Sequence, residues 1–182
     1  MFYIVEIKMR IIIMSKFKEI KPEELNENTF KLIGKDWMLI TAGDKAKVNT
    51  MTASWGGLGV MFNKNVAYIV IRPQRYTKGF VDSSDTFSLT FFDNTFKKQL
   101  GYLGSVSGKD EDKITKANLT VQYLNDTPYF EEAKNVLVCR KLYAQDMKSE
   151  GFISKEVEPK WYPEKDYHTL YIAEIEKVLI NE

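Results

Sequence analysis

The chain has 182 residues, with 26 basic and 25 acidic side chains, a net charge of +1 and 44% hydrophobic residues. This length and hydrophobic content predict one domain with a substantial core. The balanced charge argues against nucleic acid or an anionic membrane surface as a partner. No run of 18 apolar residues is present, so we expect no membrane span.

The N-terminal segment, residues 1–13, is apolar but carries Glu6, Lys8 and Arg10 in its middle. A signal peptide places its charges ahead of the apolar stretch and ends in small residues, so this segment is not typical of one. We expect residues 1–13 to be an N-terminal extension, either a misassigned start or a dispensable tail. A single domain is expected over residues 14–182.

The first half of the chain predicts an antiparallel meander after a short helical lead-in over Lys21–Lys35. Three strands separated by turn residues follow: Trp37–Ala42, Val48–Phe62 with a bend at Gly56–Gly59, and Val66–Arg72. Asn63–Asn65 is the hairpin signal between the last two. The glycine run does not fit the dinucleotide-binding pattern, because Phe62 stands where that pattern needs its third glycine.

The second half alternates helices and strands. The patterns predict helices over Pro73–Ser83, Asn94–Leu103 and Asp110–Ala117, a Gly/Ser loop at Gly104–Gly108, strands at Phe87–Phe92, Asn135–Tyr143 and Tyr167–Val178, and a loop over Lys148–Lys165. Pro73 is placed near the first turn of its helix, where a missing N–H is tolerated. A parallel fold would need a helix at nearly every crossover, so a mainly β antiparallel barrel with peripheral helices is favoured.

Cys139 and His168 are the only cysteine and the only histidine. Because each occurs only once, an internal disulfide, thiol-pair redox chemistry and zinc or iron–sulfur sites within one chain are excluded. Any redox chemistry therefore requires an organic cofactor. The single cysteine fits a reducing cytoplasm. We expect Cys139 to be buried and inert, and His168 to be a structural residue, a wall of a cofactor pocket or a general base.

Two polar segments carry the functional prediction. Asn49–Trp55 is strand-like with small side chains, so its backbone can face the edge of a flat polar ring. Arg72–Lys78 places arginines beside a helix start, which offers free N–H groups and a favourable dipole to a phosphate. A polar edge strand and an Arg-rich surface helix explain the same residues without a ligand, and both interpretations stay open on the residues alone.

Four segments together resemble the flavin reductase-like family of FMN-binding split barrels, and in particular its flavoredoxin-like branch. They are Asn49–Trp55, Ile71–Thr77, Phe87–Phe92 and Ser107–Lys113, and the late strand from Tyr167 is also similar. The resemblance runs from about Phe17 to the C-terminus. It implies a six-stranded antiparallel split β-barrel that forms a homodimer with FMN near the subunit interface.

The resemblance also implies which residues bind the cofactor. The flavin ring and ribityl chain would lie along Asn49, Thr50, Met51, Thr52, Ala53, Ser54 and Trp55. The phosphate and ribityl groups would lie near Arg72, Arg75, Tyr76, Thr77 and Lys78, with Ser105 and Lys113 contributed by the Ser105–Lys113 loop of the same or the other subunit.

No catalytic side chain is expected, because flavin N5 would carry the chemistry. The function implied is an NAD(P)H-dependent flavin reductase that passes electrons to free flavin or a redox partner protein. An FMN-containing electron-transfer protein without its own NADH or NADPH oxidation is the alternative. A degenerate barrel without a cofactor is a third possibility.

Overall fold

The computed structural model describes residues 17–181. The prediction for residues 1–13 lies outside this range. The strands are β1 Phe17–Ile20, β2 Met38–Gly43, β3 Val48–Ala53, β4 Gly56–Met61, β5 Lys64–Ile71, β6 Thr86–Phe91, β7 Val121–Leu124, β8 Thr127–Phe130, β9 Asn135–Asp146 and β10 Thr169–Asn181. The α-helices are α1 Thr29–Lys31, α2 Tyr76–Ser83, α3 Lys97–Ser105, α4 Lys113–Lys116 and α5 Val157–Trp161. A π-helical turn, Leu32–Asp36, continues α1, and short 3₁₀ turns occur at Pro22–Glu24, Asn94–Phe96 and Ser149–Gly151.

Eight strands form one antiparallel sheet in the order β3-β2-β6-β9-β10-β5-β4, with β1 added to β10. The mainly β antiparallel architecture is therefore confirmed. All six predicted strands are present. The sheet has eight because β1 was not predicted and because the strand expected over Val48–Phe62 is divided into β3 and β4.

Strand β2 shows why the sheet is covered on both faces. Met38 and Ile40 lie in a core cluster to which every strand from β2 to β6 contributes, together with β9 and β10. Leu39, between them, points to a second cluster under α3 and the β7–β8 hairpin. Successive strand side chains face opposite ways, so a continuous apolar run fits a strand buried on both sides. The sheet thus curls around the first cluster, and the barrel is split between β3 and β4.

The glycine run after β3 bends the chain, as predicted. Gly56 has a φ of 148°, and a Cβ there would lie 2.4 Å from the carbonyl oxygen of Tyr68. Only glycine fits this conformation and this approach. The hairpin turn itself lies one residue earlier than expected, at Phe62–Asn63, where both residues have a φ of 56° and form a type I′ turn.

Three helical predictions need correction. Helix α2 begins at Tyr76 rather than at Pro73, because Arg72–Arg75 closes a turn through the Arg75 N–H and the Arg72 carbonyl at 3.1 Å. The helix expected over Asp110–Ala117 is shorter and begins at Lys113, with Asp112 as its N-cap. The segment expected to be loop contains α5, whose Pro159 lies in the first turn and so leaves the helix intact.

Candidate functional site

A cleft with two lobes lies between the edge strand β3, the start of α2 and the segment around α5. The aromatic lobe has a volume of about 200 Å³ and the basic lobe about 330 Å³. The aromatic lobe is lined by Met51, Thr52, Ala53, Ser54, Trp55, Val70, Arg72, Arg75, Trp161 and His168. The basic lobe is lined by Asn49, Arg72, Gln74, Arg75, Tyr76, Thr77, Ser105, Val106, Ser107, Gly108 and Lys113. Arg72 and Arg75 line both lobes, so the lobes form one cleft.

Strand β3 is held in place by polar contacts with the two helices beside it. The Asn49 Nδ2 donates to Thr77 Oγ1 of α2 at 2.9 Å, and Thr52 Oγ1 donates to the Leu100 carbonyl of α3 at 2.6 Å. Within residues 17–181, β3 pairs only with β2, so the backbone of its other edge is available to a ligand. Thr50 lines neither lobe, because its fully buried hydroxyl forms a hydrogen bond with Thr41 on the face of the sheet that points away from the first cluster.

The basic lobe contains a buried lysine. Lys113 is 4% exposed, and its Nζ donates to the carbonyl oxygens of Leu103 at 2.8 Å and Val106 at 2.9 Å. No ion pair within the described residues involves it. Burial, followed by the charge of Arg75, lowers the pKa of Lys113 to about 8. A lysine has three N–H donors, so one remains for a ligand in this lobe.

Arg75 forms the other side of the basic lobe. Its guanidinium donates to the Gly104 carbonyl at 3.0 Å, and Arg75 is also the N-cap residue of α2. No side chain caps that helix start, and Tyr76 and Thr77 of its first turn line the lobe. The Tyr76 hydroxyl accepts from Lys47 Nζ at 2.9 Å, and Ser105 Oγ donates to the Tyr102 carbonyl at 2.9 Å.

Aromatic side chains line the other lobe. Trp55 meets Trp161 edge to face with ring centres 5.1 Å apart, and its ring lies 5.3 Å from His168. His168 is buried, and its Nδ1 shares a 2.7 Å hydrogen bond with the Tyr162 hydroxyl. Burial, together with the charge of Arg72, lowers the pKa of His168 to about 4, so the ring is neutral at pH 7. His168 is therefore best described as a structural residue that also lines the pocket.

Arg72 connects the cleft to the segment that carries α5. It forms an ion pair with Asp166, donates to the Trp161 carbonyl at 2.7 Å and lies over the Tyr162 ring at 5.0 Å. Hydrogen bonds from Arg72 and Gln74, with the Arg72 charge, lower the pKa of Asp166. Part of the Arg72 donor capacity is therefore used within the protein.

Lys78 does not lie in the cleft. Its Nζ pairs with Asp82 at 2.8 Å, one turn along α2, and it lines a different hollow, on the outer side of the helix. Of the 14 residues predicted to bind the cofactor, 12 line the two lobes, and the exceptions are Thr50 and Lys78.

Several cleft residues were not singled out from the sequence, although Val106, Ser107 and Gly108 lie in the Ser105–Lys113 loop that the resemblance assigns to the site. They are Val70, Gln74, Val106, Ser107, Gly108 and Trp161, together with the outer partner Asp166. Gly108 had a visible signal, since it lies in the Gly/Ser loop, and a Cβ there would lie 2.0 Å from Asn49 Oδ1. Trp161 and Asp166 had none, because they reach the cleft through contacts with Arg72 across about ninety residues of chain.

The sequence model of the flavin reductase-like domain matches residues 30–182. The chain belongs to the flavin reductase-like domain family. The resemblance found in the sequence is thereby confirmed. No curated protein matches the chain.

Solved structures of flavin reductase-like proteins share the fold. The FMN-binding domain of a flavin reductase-like enzyme from Shewanella baltica OS155 is 15% identical with a TM-score of 0.66, covering 91% of this chain and 77% of that chain. The flavoredoxin from Methanosarcina acetivorans is 23% identical with a TM-score of 0.63, covering 91% and 76%. The flavoredoxin of Desulfovibrio vulgaris is 20% identical with a TM-score of 0.64, covering 90% and 78%.

Three other findings bear on function. Cys139 is buried, and burial raises the pKa of its thiol, which agrees with an inert side chain. The described part of the chain holds no cluster of His, Cys, Asp and Glu suited to a metal ion. Within the same residues, no helix combines the length and apolar character needed to cross a membrane.

Proposed function

We propose that this flavin reductase-like protein binds FMN in the two-lobed cleft, with the phosphate in the basic lobe and the ring in the aromatic lobe. The observation that supports this most is Lys113, a buried cation without a carboxylate partner among residues 17–181. A buried charge is costly unless an opposite charge compensates it. A phosphate dianion beside Lys113, Arg75 and the start of α2 would supply that charge.

The rest of the cleft fits the other parts of FMN. The backbone at the open edge of β3 and just beyond its end, from Thr52 to Trp55, would offer donors and acceptors to a polar ring edge, and the partly exposed Trp55 and Trp161 side chains would border one end of the ring. The two lobes together fall within the ~300–1,000 Å³ typical of small-molecule sites. Asn49 and Thr77 are hydrogen-bonded to each other and would border the ribityl chain.

We propose that the reaction is NADH- or NADPH-dependent flavin reduction. Bound FMN would supply the two-electron chemistry, accepting a hydride and passing electrons to free flavin or another acceptor. The protein would orient the ring, hold the phosphate and limit water, and it would provide no acid or base. The neutral His168 ring agrees with the absence of a protein acid or base, since its Nδ1 is already in a hydrogen bond with the Tyr162 hydroxyl.

An FMN-containing electron-transfer protein is the second candidate. Trp161 favours it, because its side chain lines the aromatic lobe, where a nicotinamide would have to stack on the flavin. In that case electrons would reach the flavin from a redox partner protein rather than from NADH or NADPH.

Anaerobic mixing of the FMN-loaded protein with NADH and with NADPH separates the two candidates. Rapid bleaching of the flavin absorption supports the reductase. A flavin that dithionite reduces but neither nucleotide bleaches supports the electron carrier. A protein that binds no FMN would contradict both.

We also propose a homodimer formed through the β4 edge. Val60, Met61 and Phe62 are 72%, 40% and 58% exposed, and β4 ends the sheet order. An apolar, exposed edge strand is suited to pairing with a second copy. Trp55 directly precedes β4, so this contact would lie near the flavin ring. Light scattering of the wild-type protein should give twice the mass of one chain, and the Val60→Lys variant should give the mass of one chain. A wild-type monomer at micromolar concentration would contradict the proposal.

A further inference from the structure

Strands β5 and β10 separate at the end of the sheet that borders the cleft. Their last pair is Ile71 with Thr169, so Arg72 and His168 are the first residues beyond it on the two strands. From Arg72 the chain enters the turn before α2, and residues 149–167, called here the α5 segment, lead into β10. Both sections of chain line the aromatic lobe after leaving the sheet at the same point.

Arg72 and Gln74 hold the α5 segment at this point. Arg72 forms an ion pair with Asp166 and donates to the Trp161 carbonyl at 2.7 Å, and Gln74 Nε2 donates to the same Asp166 oxygen at 2.6 Å. Within the described part of the chain, the other hydrogen bonds of the α5 segment remain inside residues 147–168. The polar anchoring of the segment therefore depends on three hydrogen bonds, two of which Asp166 accepts.

The ion pair between Arg72 and Asp166 is partly shielded from water. The two side chains are 23% and 22% exposed, so solvent screens their attraction less than that of a surface pair. Asp166 also neutralises one of the cations that line the basic lobe. Its carboxylate thus fixes the direction of the guanidinium and sets the charge that the guanidinium offers to a ligand.

We propose that Asp166 is a positioning residue, which orients Arg72 towards the cleft and holds the α5 segment, with Trp161, against the aromatic lobe. Asp166 lines neither lobe, so it acts through Arg72 and not by contact with a ligand. Its effect on ligand binding rests on the proposed placement of FMN in the cleft. Its hold on the α5 segment is a property of the cofactor-free protein as well.

An unpaired oxygen makes asparagine an informative replacement for Asp166. Its Oδ1 is buried, and no hydrogen-bond partner for that atom lies among the described residues. In Asp166→Asn the amide oxygen can accept from Arg72 and Gln74 as Oδ2 does, and the amide nitrogen takes the place of Oδ1. This variant removes the charge and keeps the hydrogen bonds, whereas Asp166→Ala removes both. Glu164→Gln and Glu164→Ala are the matched controls, because Glu164 is an exposed carboxylate in the same segment.

Limited trypsin digestion of the cofactor-free protein measures the hold on the α5 segment. Cleavage is followed after Lys155 and Lys160, since Lys165 adjoins both substituted positions. Cleavage requires local opening, which becomes more frequent when an anchoring contact is lost. Asp166→Ala should raise the cleavage rate about tenfold, because it removes hydrogen bonds to a charged group, and Asp166→Asn should raise it less than about threefold. A rate in Asp166→Ala no higher than in Glu164→Ala would overturn the hold on the segment.

Dissociation constants for FMN and riboflavin, at low and at high salt, measure the effect on Arg72. Asp166→Asn leaves the Arg72 charge uncompensated, so the preference for FMN over riboflavin should rise about threefold at low salt and less at high salt. Glu164→Gln should change that preference less than about 1.5-fold, because an exposed charge is screened. General loosening of the fold would weaken both ligands together, so an unchanged preference in Asp166→Asn would overturn the orienting role.

The two measurements also separate this proposal from the proposed function. Absence of FMN binding in the wild-type protein would remove the proposed function, while the digestion of the cofactor-free protein still decides whether Asp166 holds the α5 segment. Because Asp166→Asn keeps the hydrogen bonds, it tests the orienting role even where Asp166→Ala does not fold.

Discussion

Replacing Lys113 by methionine removes the buried charge of the basic lobe while keeping the side-chain length. The pKa of Lys113 falls from an ordinary 10.5 to about 8 in the folded chain. At ~1.4 kcal/mol per pKa unit, this disfavours the charged form by about 3 kcal/mol. A bound phosphate that restores the ordinary pKa would recover at most that amount.

The expected loss of FMN affinity follows from this limit. Hydrogen bonds to charged groups contribute ~1.5–3 kcal/mol in substitution experiments. We therefore expect Lys113→Met to weaken FMN by about 2 kcal/mol, roughly 30-fold. Riboflavin lacks the phosphate, so its affinity should change little, and it serves as the control ligand for any general disturbance of the loop.

The pH dependence gives a second readout from the same titrations. The free protein loses the Lys113 proton as the pH rises through about 8, whereas a bound phosphate holds it to higher pH. Binding therefore takes up a proton, and FMN affinity should fall between pH 7 and 9.5 in the wild-type protein but not in Lys113→Met. Equal weakening of FMN and riboflavin, or identical pH profiles, would refute the assignment of the phosphate to Lys113.

Three further substitutions test other parts of the cleft. Arg75→Ala should weaken FMN binding by ~1.5–3 kcal/mol, with Lys45→Ala as the surface control. Equal FMN affinities of the two variants would exclude an Arg75–phosphate contact. Trp161→Ala should increase iodide quenching of flavin fluorescence, whereas Ile153→Ala, 99% exposed outside the cleft, should not; unchanged quenching would show that Trp161 does not cover the ring. The pKa of His168 is about 4 when folded and 6.5 ordinarily, so the unfolded chain binds the extra proton and stability falls as the pH drops from 6.5 towards 4. His168→Gln should lose less stability over this range in urea titrations, and parallel curves would contradict the burial argument.

The strands were predictable because their residue patterns are local. Strand β2 is apolar except for Thr41 since both of its faces are buried, and Thr169–Asn181 is rich in β-branched residues. The β7–β8 hairpin was missed although Asn125–Asp126 forms its turn with φ values of 47° and 67°. That dipeptide is a hairpin signal even without glycine, because Asn and Asp tolerate positive φ.

The site was predictable where it follows one strand and one helix start. The positions from Asn49 to Trp55 and from Arg72 to Thr77 are contiguous in sequence, so a pattern can identify them. The aromatic cover could not be predicted, because Trp161 approaches Trp55 only through the fold. Lys78 was misplaced because the helix start was set too early, and its position on α2 directs it towards Asp82 instead.

The most direct test of the central claim is equilibrium binding of FMN and riboflavin to the full-length protein, followed by absorption and tryptophan fluorescence. The structure predicts one FMN per chain, bound at least about tenfold more tightly than riboflavin because the phosphate adds a charged contact. Absence of FMN binding, or equal affinity for FMN and riboflavin, would contradict the placement of the phosphate in the basic lobe.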